Sequence, residues 1–253
     1  MMNIGVTVKK SLPNFVTILS LLSGSIATVL AFQDNLIAAA CFIFAAAVFD
    51  FMDGMVARAL KAYSPMGKEL DSLSDVISFG MAPAAILFRI LLMSLVKRDS
   101  SFNYETADAL HLVILFSPFL ITAFSALRLA KFNIDERQTS SFIGLPTPAS
   151  AIFIASLALI LIGKTDSYLH SVILNPGVLL GIIVVLCALL VAEIPMFSLK
   201  IKSLRFADNR LRYFFLLIAV LALIFFNLYA IPFVIIFYVI LSIINDIFLS
   251  HVK

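Results

Sequence analysis

Long apolar runs alternate with short polar interruptions along this chain. Residues 11–33, 142–163, 171–192 and 213–245 carry no charged side chain, and a helix that crosses a bilayer needs roughly 20 predominantly apolar residues. Breaking the runs at charges, prolines and glycines predicts helices near 11–32, 35–60, 70–96, 107–131, 146–163, 174–193, 211–227 and 230–249. The stretch from Tyr213 to Asn245 is long enough for one tilted helix, but Asn227, Tyr229 and Pro232 at its middle favour a tight hairpin between two spans. The expected fold class is all-α integral membrane, with about eight transmembrane helices forming a single membrane domain over 1–253. Within it, 11–193 reads as a six-helix core and 211–250 as a C-terminal helical hairpin.

Composition sharpens this reading. Of 253 residues, 62% are hydrophobic and only 13% charged, with a mean hydropathy of +1.09, which leaves too few charges to cover a soluble domain. The first apolar run follows Lys9 and Lys10 but exceeds a signal-peptide length without a small-residue cleavage site, so a retained first helix is expected. Cys41 and Cys187 both lie in apolar runs, where packing is the expected role. The loops divide their lysines and arginines unevenly. Lys9, Lys10, Arg58, Lys61, Lys68, Arg128, Lys131, Arg137, Lys200, Lys202, Arg205, Arg210, Arg212 and Lys253 fall on one side; Lys97, Arg98 and Lys164 fall on the other. The positive-inside rule then places both termini and the 61–69 loop in the cytosol, in an inner (plasma) membrane. Membrane lipids are the expected surroundings, and no nucleic-acid partner is expected.

Against this background, residues 50–75 are anomalous. Asp50 and Asp53 stand three apart near the end of the second predicted helix, while Gly67, Asp71 and Asp75 are spaced by four at the start of the third. Each set shares one helix face. Asp50 follows CFIFAAAVF and Asp75 precedes VISFGMAPAAILF, so both sit at least a turn inside apolar sequence, where ionisable groups are functional by default. Four carboxylates converging from two helices would repel unless cations lay among them. All-oxygen donor sets suit hard divalent ions such as Mg²⁺ or Mn²⁺, and two ions is the economical number for four acids. Gly54 and Ala57 keep the second helix small beside Asp53, and Arg58 lies one turn on, within reach of a phosphate. Such a polar, metal-binding cavity at the cytosolic membrane boundary points to phosphoryl-type chemistry on a lipid. Lys61, Lys68 and Glu69 read as a solvated loop.

Written out, the stretch is D-x2-D-G-x2-A-R-x8-G-x3-D-x3-D, which resembles the signature of the CDP-alcohol phosphatidyltransferase family at every specified position. LPNFVT at 12–17, LDSLSDVISFGMAPA at 70–84, LRLAKFN at 127–133 and FIGLPTPAS at 142–150 are similar to its phosphatidylserine synthase branch. The resemblance implies transfer of the phosphatidyl group of CDP-diacylglycerol to L-serine, releasing CMP. It implies that Asp50, Asp53 and Asp71 hold metal, that Asp75 lies near a second ion and acts as general base, and that Gly54, Ala57, Arg58 and Gly67 serve the nucleotide and diphosphate. A homodimer is likewise implied. With no Ser/His or Cys/His pair near the cluster, the expected reaction is a direct displacement without a covalent enzyme intermediate.

Other positions keep two readings. Asn14 and Thr17 beside Pro13 read either as a helix-start signal or as nucleotide contacts. Arg128 and Lys131 at the end of the fourth helix complement its dipole, and they are also the first candidates for serine's carboxylate; Lys131 stands where relatives often carry arginine, which keeps charge and loses the bidentate fork. FIGLPTPAS reads chiefly as a structural turn, and FSLKIKSLRF at 197–206 as a segment lying on an anionic surface. Alternative functions are the same chemistry with glycerol 3-phosphate or inositol phosphate as acceptor, and a divalent-cation transporter, against which Arg58 beside the acids speaks.

Overall fold

The computed structural model describes residues 4–135, 142–163, 167–197 and 209–250. The FSLKIKSLRF stretch beyond Phe197, Arg137 and Lys164 lie outside them. The helices are α1 (Ile4–Phe32), α2 (Leu36–Leu60), α3 (Pro65–Asp75), α4 (Ala82–Arg98), α5 (Ala109–Phe116), α6 (Leu120–Ile134), α7 (Thr147–Ile162), α8 (Ser167–Ile173), α9 (Pro176–Val191), α10 (Arg210–Phe226) and α11 (Ala230–Ser250). Five stretches are long and apolar enough to cross a membrane: Ser11–Phe32, Leu36–Leu60, Pro65–Arg98, Ala109–Ile134 and Arg210–Ile247. Thr147–Ile162 and Pro176–Val191 are shorter apolar helices. The protein is thus an α-helical membrane protein.

The packing of α1 on α2 organises the rest. Leu36, Ala39, Ala40, Ile43 and Ala46 form a buried stripe on α2, and Ser20, Ser23, Gly24, Ala27 and Ala31 give α1 a buried face of equally small residues. Small side chains let helix backbones approach closely where lipid offers no hydrophobic driving force. Ser20 Oγ donates to Ala46 O across this seam at 3.0 Å. Continuing the α2 stripe by one further turn reaches Asp50 and by a second Asp53, so the acids end a buried face.

A short turn then reverses the chain. The Lys61 N–H donates to Arg58 O and that of Ala62 to Ala57 O, a Schellman closure with Lys61 at φ +50° where glycine is usual. Ser64 caps α3 by accepting from Gly67 N at 3.0 Å, and Pro65 occupies its first turn. Helix α3 therefore starts at 65, and the expected 61–69 loop is correspondingly shorter. From Asp75 the chain passes through one π-helical stretch, Val76–Met81, into α4; such insertions recur at functional sites. Serines lash this unit to α1: Ser74 Oγ donates to Thr17 O at 3.3 Å and Ser78 Oγ to Ser20 O at 2.9 Å. Gly24 is required there, since a Cβ would lie 2.4 Å from Ser78 Cα.

Three further differences from the sequence reading concern boundaries. Helix α1 begins at Ile4, so Pro13 lies inside it and the helix-start reading of Asn14 and Thr17 fails. Helices α5 and α6 are joined through one 3₁₀ turn, Ser117–Phe119. A two-residue antiparallel ladder, Phe142–Ile143 with Pro195–Met196, adds the only strands among the described residues. Gly144 follows it at φ +76°, where a Cβ would meet Leu190 O at 2.7 Å, which gives FIGLPTPAS its structural role. At the C-terminal end, Asn227 at φ +51° and a 3₁₀ turn reverse the chain between α10 and α11. Phe215 stacks on Phe237 with centroids 5.9 Å apart, as a hairpin centred near Asn227 requires.

Candidate functional site

Register follows from the hairpin. Counted outward from a centre between Ala62 and Tyr63, Asp50 comes level with Asp75, and Asp53 with Asp71 or Ser72. Both α2 and α3 pack on α1, and the acids face one another across the gap this leaves. Carboxylate oxygens of Asp50, Asp53 and Asp71 all lie within 4.8 Å of one another, with Asp53 buried and the other two partly so. The Asp50 carboxyl also neighbours that of Asp75.

These oxygens lack protein partners in the places that matter. Asp53 Oδ2 and Asp75 Oδ1 are buried with no hydrogen-bond donor, although an unsatisfied buried polar atom normally costs about 1–3 kcal/mol, and more when charged. A hard divalent cation fits this donor set: oxygen-only, anionic, converging from two helices, and with lone pairs left over.

Around the acids the motif residues take up distinct posts. Thr17 Oγ1 donates to Pro13 O at 3.1 Å and lies beside the Asp53 carboxylate. Asn14 Oδ1 stands 3.0 Å from the position a Cβ on Gly67 would take, so the absent side chain of Gly67 leaves room for Asn14 between α1 and α3. Arg58, exposed, folds back along α2 so that its guanidinium lies 3.5 Å from a Cβ built on Gly54; this flank of α2, with Ala57, stays small.

Asp75 is held from the other side. Thr147 Oγ1 donates to Asp75 Oδ2 at 3.4 Å, and Arg128 Nη1 donates to Thr147 Oγ1 at 3.4 Å. Arg128 is only 7% exposed, its guanidinium lies 6.0 Å from the Phe132 ring, and its Nε has no acceptor. A buried cation with a free donor, next to a carboxylate with a free acceptor, is built to receive something polar. Lys131 lies differently: half-exposed, its Nζ donates to Glu193 Oε1 at 2.9 Å. The structure thus brings together Asp50, Asp53, Asp71, Asp75, Thr17 and Arg128, and puts Lys131 into an ion pair.

Thr147 is the site residue that sequence reasoning missed. FIGLPTPAS reads as punctuation in the sequence, yet its threonine bridges Arg128 to Asp75; a hydroxyl at the first turn of an apolar helix is the available signal. Ser74 and Ser78 are engaged by α1 carbonyls. Ser72 Oγ accepts from Asn133 Nδ2 at 2.9 Å and Lys68 Nζ donates to Asn133 O at 3.1 Å, which fixes the end of α6 against α3.

The chain is similar to several known proteins. The chain is 31% identical over 147 residues to the CDP-diacylglycerol–serine O-phosphatidyltransferase of Bacillus subtilis, covering 58% of this chain and 75% of that protein. It is 32% identical over 216 residues to the protein of the same description from Helicobacter pylori strain J99, covering 84% and 81%. To the archaetidylserine synthase of Methanothermobacter thermautotrophicus it is 34% identical over 151 residues, 59% of this chain and 58% of that one. The profile described as CDP-alcohol phosphatidyltransferase matches residues 10–192, spanning α1 to α9 and every acid of the cluster, and the chain belongs to that family.

Proposed function

We propose that this protein transfers the phosphatidyl group of CDP-diacylglycerol to L-serine, giving phosphatidylserine and CMP. The observation that carries the reading is the pairing of a three-carboxylate cluster with a separately held acid, Asp75, whose Oδ1 has no partner. Asp50, Asp53 and Asp71 would hold divalent metal, Mg²⁺ or Mn²⁺, with Asp75 near a second ion. Bound there, such ions neutralise the diphosphate and make CMP a good leaving group.

The chain's own residues supply the rest. Asp75 accepts the proton of the serine hydroxyl, whose oxygen attacks the phosphorus bearing the diacylglycerol; the bond from that phosphorus to CMP breaks, and no enzyme adduct forms. Thr147 and Arg128 fix the orientation of Asp75. Arg128, with its unpartnered Nε, is also the first candidate for serine's carboxylate, and Lys131 at the same helix end is the second. Arg58 with Gly54, Ala57 and Gly67 serves the diphosphate and nucleotide, and Asn14 and Thr17 border the same space. The positive side of the loops puts this chemistry at the cytosolic face of the inner membrane. In this reading eight helices span the bilayer, 11–193 forms the core, 211–250 is an added hairpin, and the active unit is a homodimer.

A phosphate-bearing acceptor would call for more cationic groups around Asp75 than Arg128 alone. The test is CMP release by purified protein from CDP-diacylglycerol with serine, glycerol 3-phosphate or inositol phosphate, in Mg²⁺ and in Mn²⁺. Serine-dependent release is expected; release with another acceptor and none with serine would overturn the assignment.

A further inference from the structure

On the flank of the bundle, α7, α9 and α11 enclose a groove of ≈ 420 Å³ lined by apolar side chains and one glycine. From α9 it takes Val178, Gly181, Val185 and Leu189, whose three- and four-residue spacing forms a single face. At the helical rise this stripe is about 16 Å long, close to the roughly 15 Å of hydrocarbon in one leaflet. Ile236 and Ile240 of α11 form the facing wall, with Leu145 at one end. Val185 is 55% exposed and Ile240 48%, so the groove opens sideways, where a bilayer would lie.

One end adjoins the acids. The Leu145 N–H donates to Leu189 O at 2.9 Å, and Thr147, two residues on, donates to Asp75. About three quarters of the way along from that end lies Gly181, where an added Cβ would meet nothing within 4 Å. Gly24, Gly80 and Gly144, by contrast, are each crowded by a neighbouring element. Glycine inside a helix is unfavourable, and no close backbone approach requires it at 181; its absent side chain leaves the groove continuous. The α11 wall lies beyond residue 192, where the family match ends.

We propose that this groove binds one acyl chain of the nucleotide-activated lipid substrate, and that Gly181 sets the chain length it accepts. The proposal rests on the transferase reading above and adds to it a specificity-determining position. A channel without polar side chains, one leaflet deep, opening to lipid along its side and ending beside the reacting group, matches a single hydrocarbon chain. A chain anchored near Leu189 meets Gly181 only after about 12 Å, so short chains never reach it.

The experiment measures CMP release, with serine, from dioctanoyl- and dipalmitoyl-CDP-glycerol lipids in mixed micelles. Wild type, Gly181→Leu and, from the opposite wall, Ile236→Phe are compared. Both variants are expected to raise KM for the dipalmitoyl lipid about tenfold, the effect of displacing roughly two methylenes, with the dioctanoyl kinetics unchanged; those kinetics also report correct folding. An unaltered preference between the two lipids, or equal loss on both, overturns the proposal. A changed oligomeric state with unaltered preference assigns the groove to a second copy of the chain and likewise overturns it. No CMP release by the wild-type protein from either lipid would overturn the transferase reading itself, and the groove assignment with it.

Discussion

The two ends of the helical bundle treat their aspartates in opposite ways. At the end where α1 turns into α2, Asp34 pairs with Arg89; in the segment after α4, Asp99 accepts from the Ser101 hydroxyl and N–H, and Asp108 caps α5 and binds the His111 ring. The Ser101 hydroxyl and N–H hold Asp99 below the usual carboxylate range, and the His111 N–H does the same for Asp108. At the other end, roughly 20 Å away along α2, Asp50, Asp53, Asp71 and Asp75 face mainly one another, and two of their buried oxygens have no donor. Acids that finish the fold are satisfied by it, and acids that await a ligand are not. This contrast separates structural from functional charge more sharply than the number of acids does.

Substitutions should divide the same way. Asp75→Asn is expected to lower CMP release about 10²–10⁴-fold, the usual contribution of a positioned general base, while Asp34→Asn leaves kcat unchanged; comparable losses in both would erase the distinction. Arg128→Met should raise KM for serine roughly 10–100-fold, since a hydrogen bond to a charged group contributes about 1.5–3 kcal/mol. Gly24→Ala tests the scaffold beneath the acids. Its Cβ would collide with Ser78, so thermal denaturation should show a destabilisation of about 1–3 kcal/mol. The smallest effect belongs to Lys131→Ala: an exposed ion pair is worth about 0–1 kcal/mol, and a large rise in KM for serine would instead make Lys131 the carboxylate ligand.

Much of this site was legible in the sequence because helical periodicity is local. Spacings of three and four placed Asp50 with Asp53 and Asp71 with Asp75, and Asn227 marked the reversal between the last two helices. The early start of α3 was hidden because MGKELDS is polar, and hydropathy outweighed the Ser64–Pro65 cap. The π-helical stretch at Val76–Met81 leaves no compositional trace, since its cause is tertiary: Ser78 is drawn to the Ser20 carbonyl against Gly24. Thr147 was missed for the same reason. Its partners, Asp75 and Arg128, are 72 and 19 residues away, and only the assembled bundle brings the three together.

The central claim, that α2 and α3 gather their carboxylates around divalent ions, is tested most directly by titrating metal-stripped protein with Mn²⁺ and following free ion by electron paramagnetic resonance. The account predicts saturable binding of two ions per chain, lost in Asp53→Asn and retained in Asp34→Asn. Binding that is absent, or unchanged by Asp53→Asn, would contradict it.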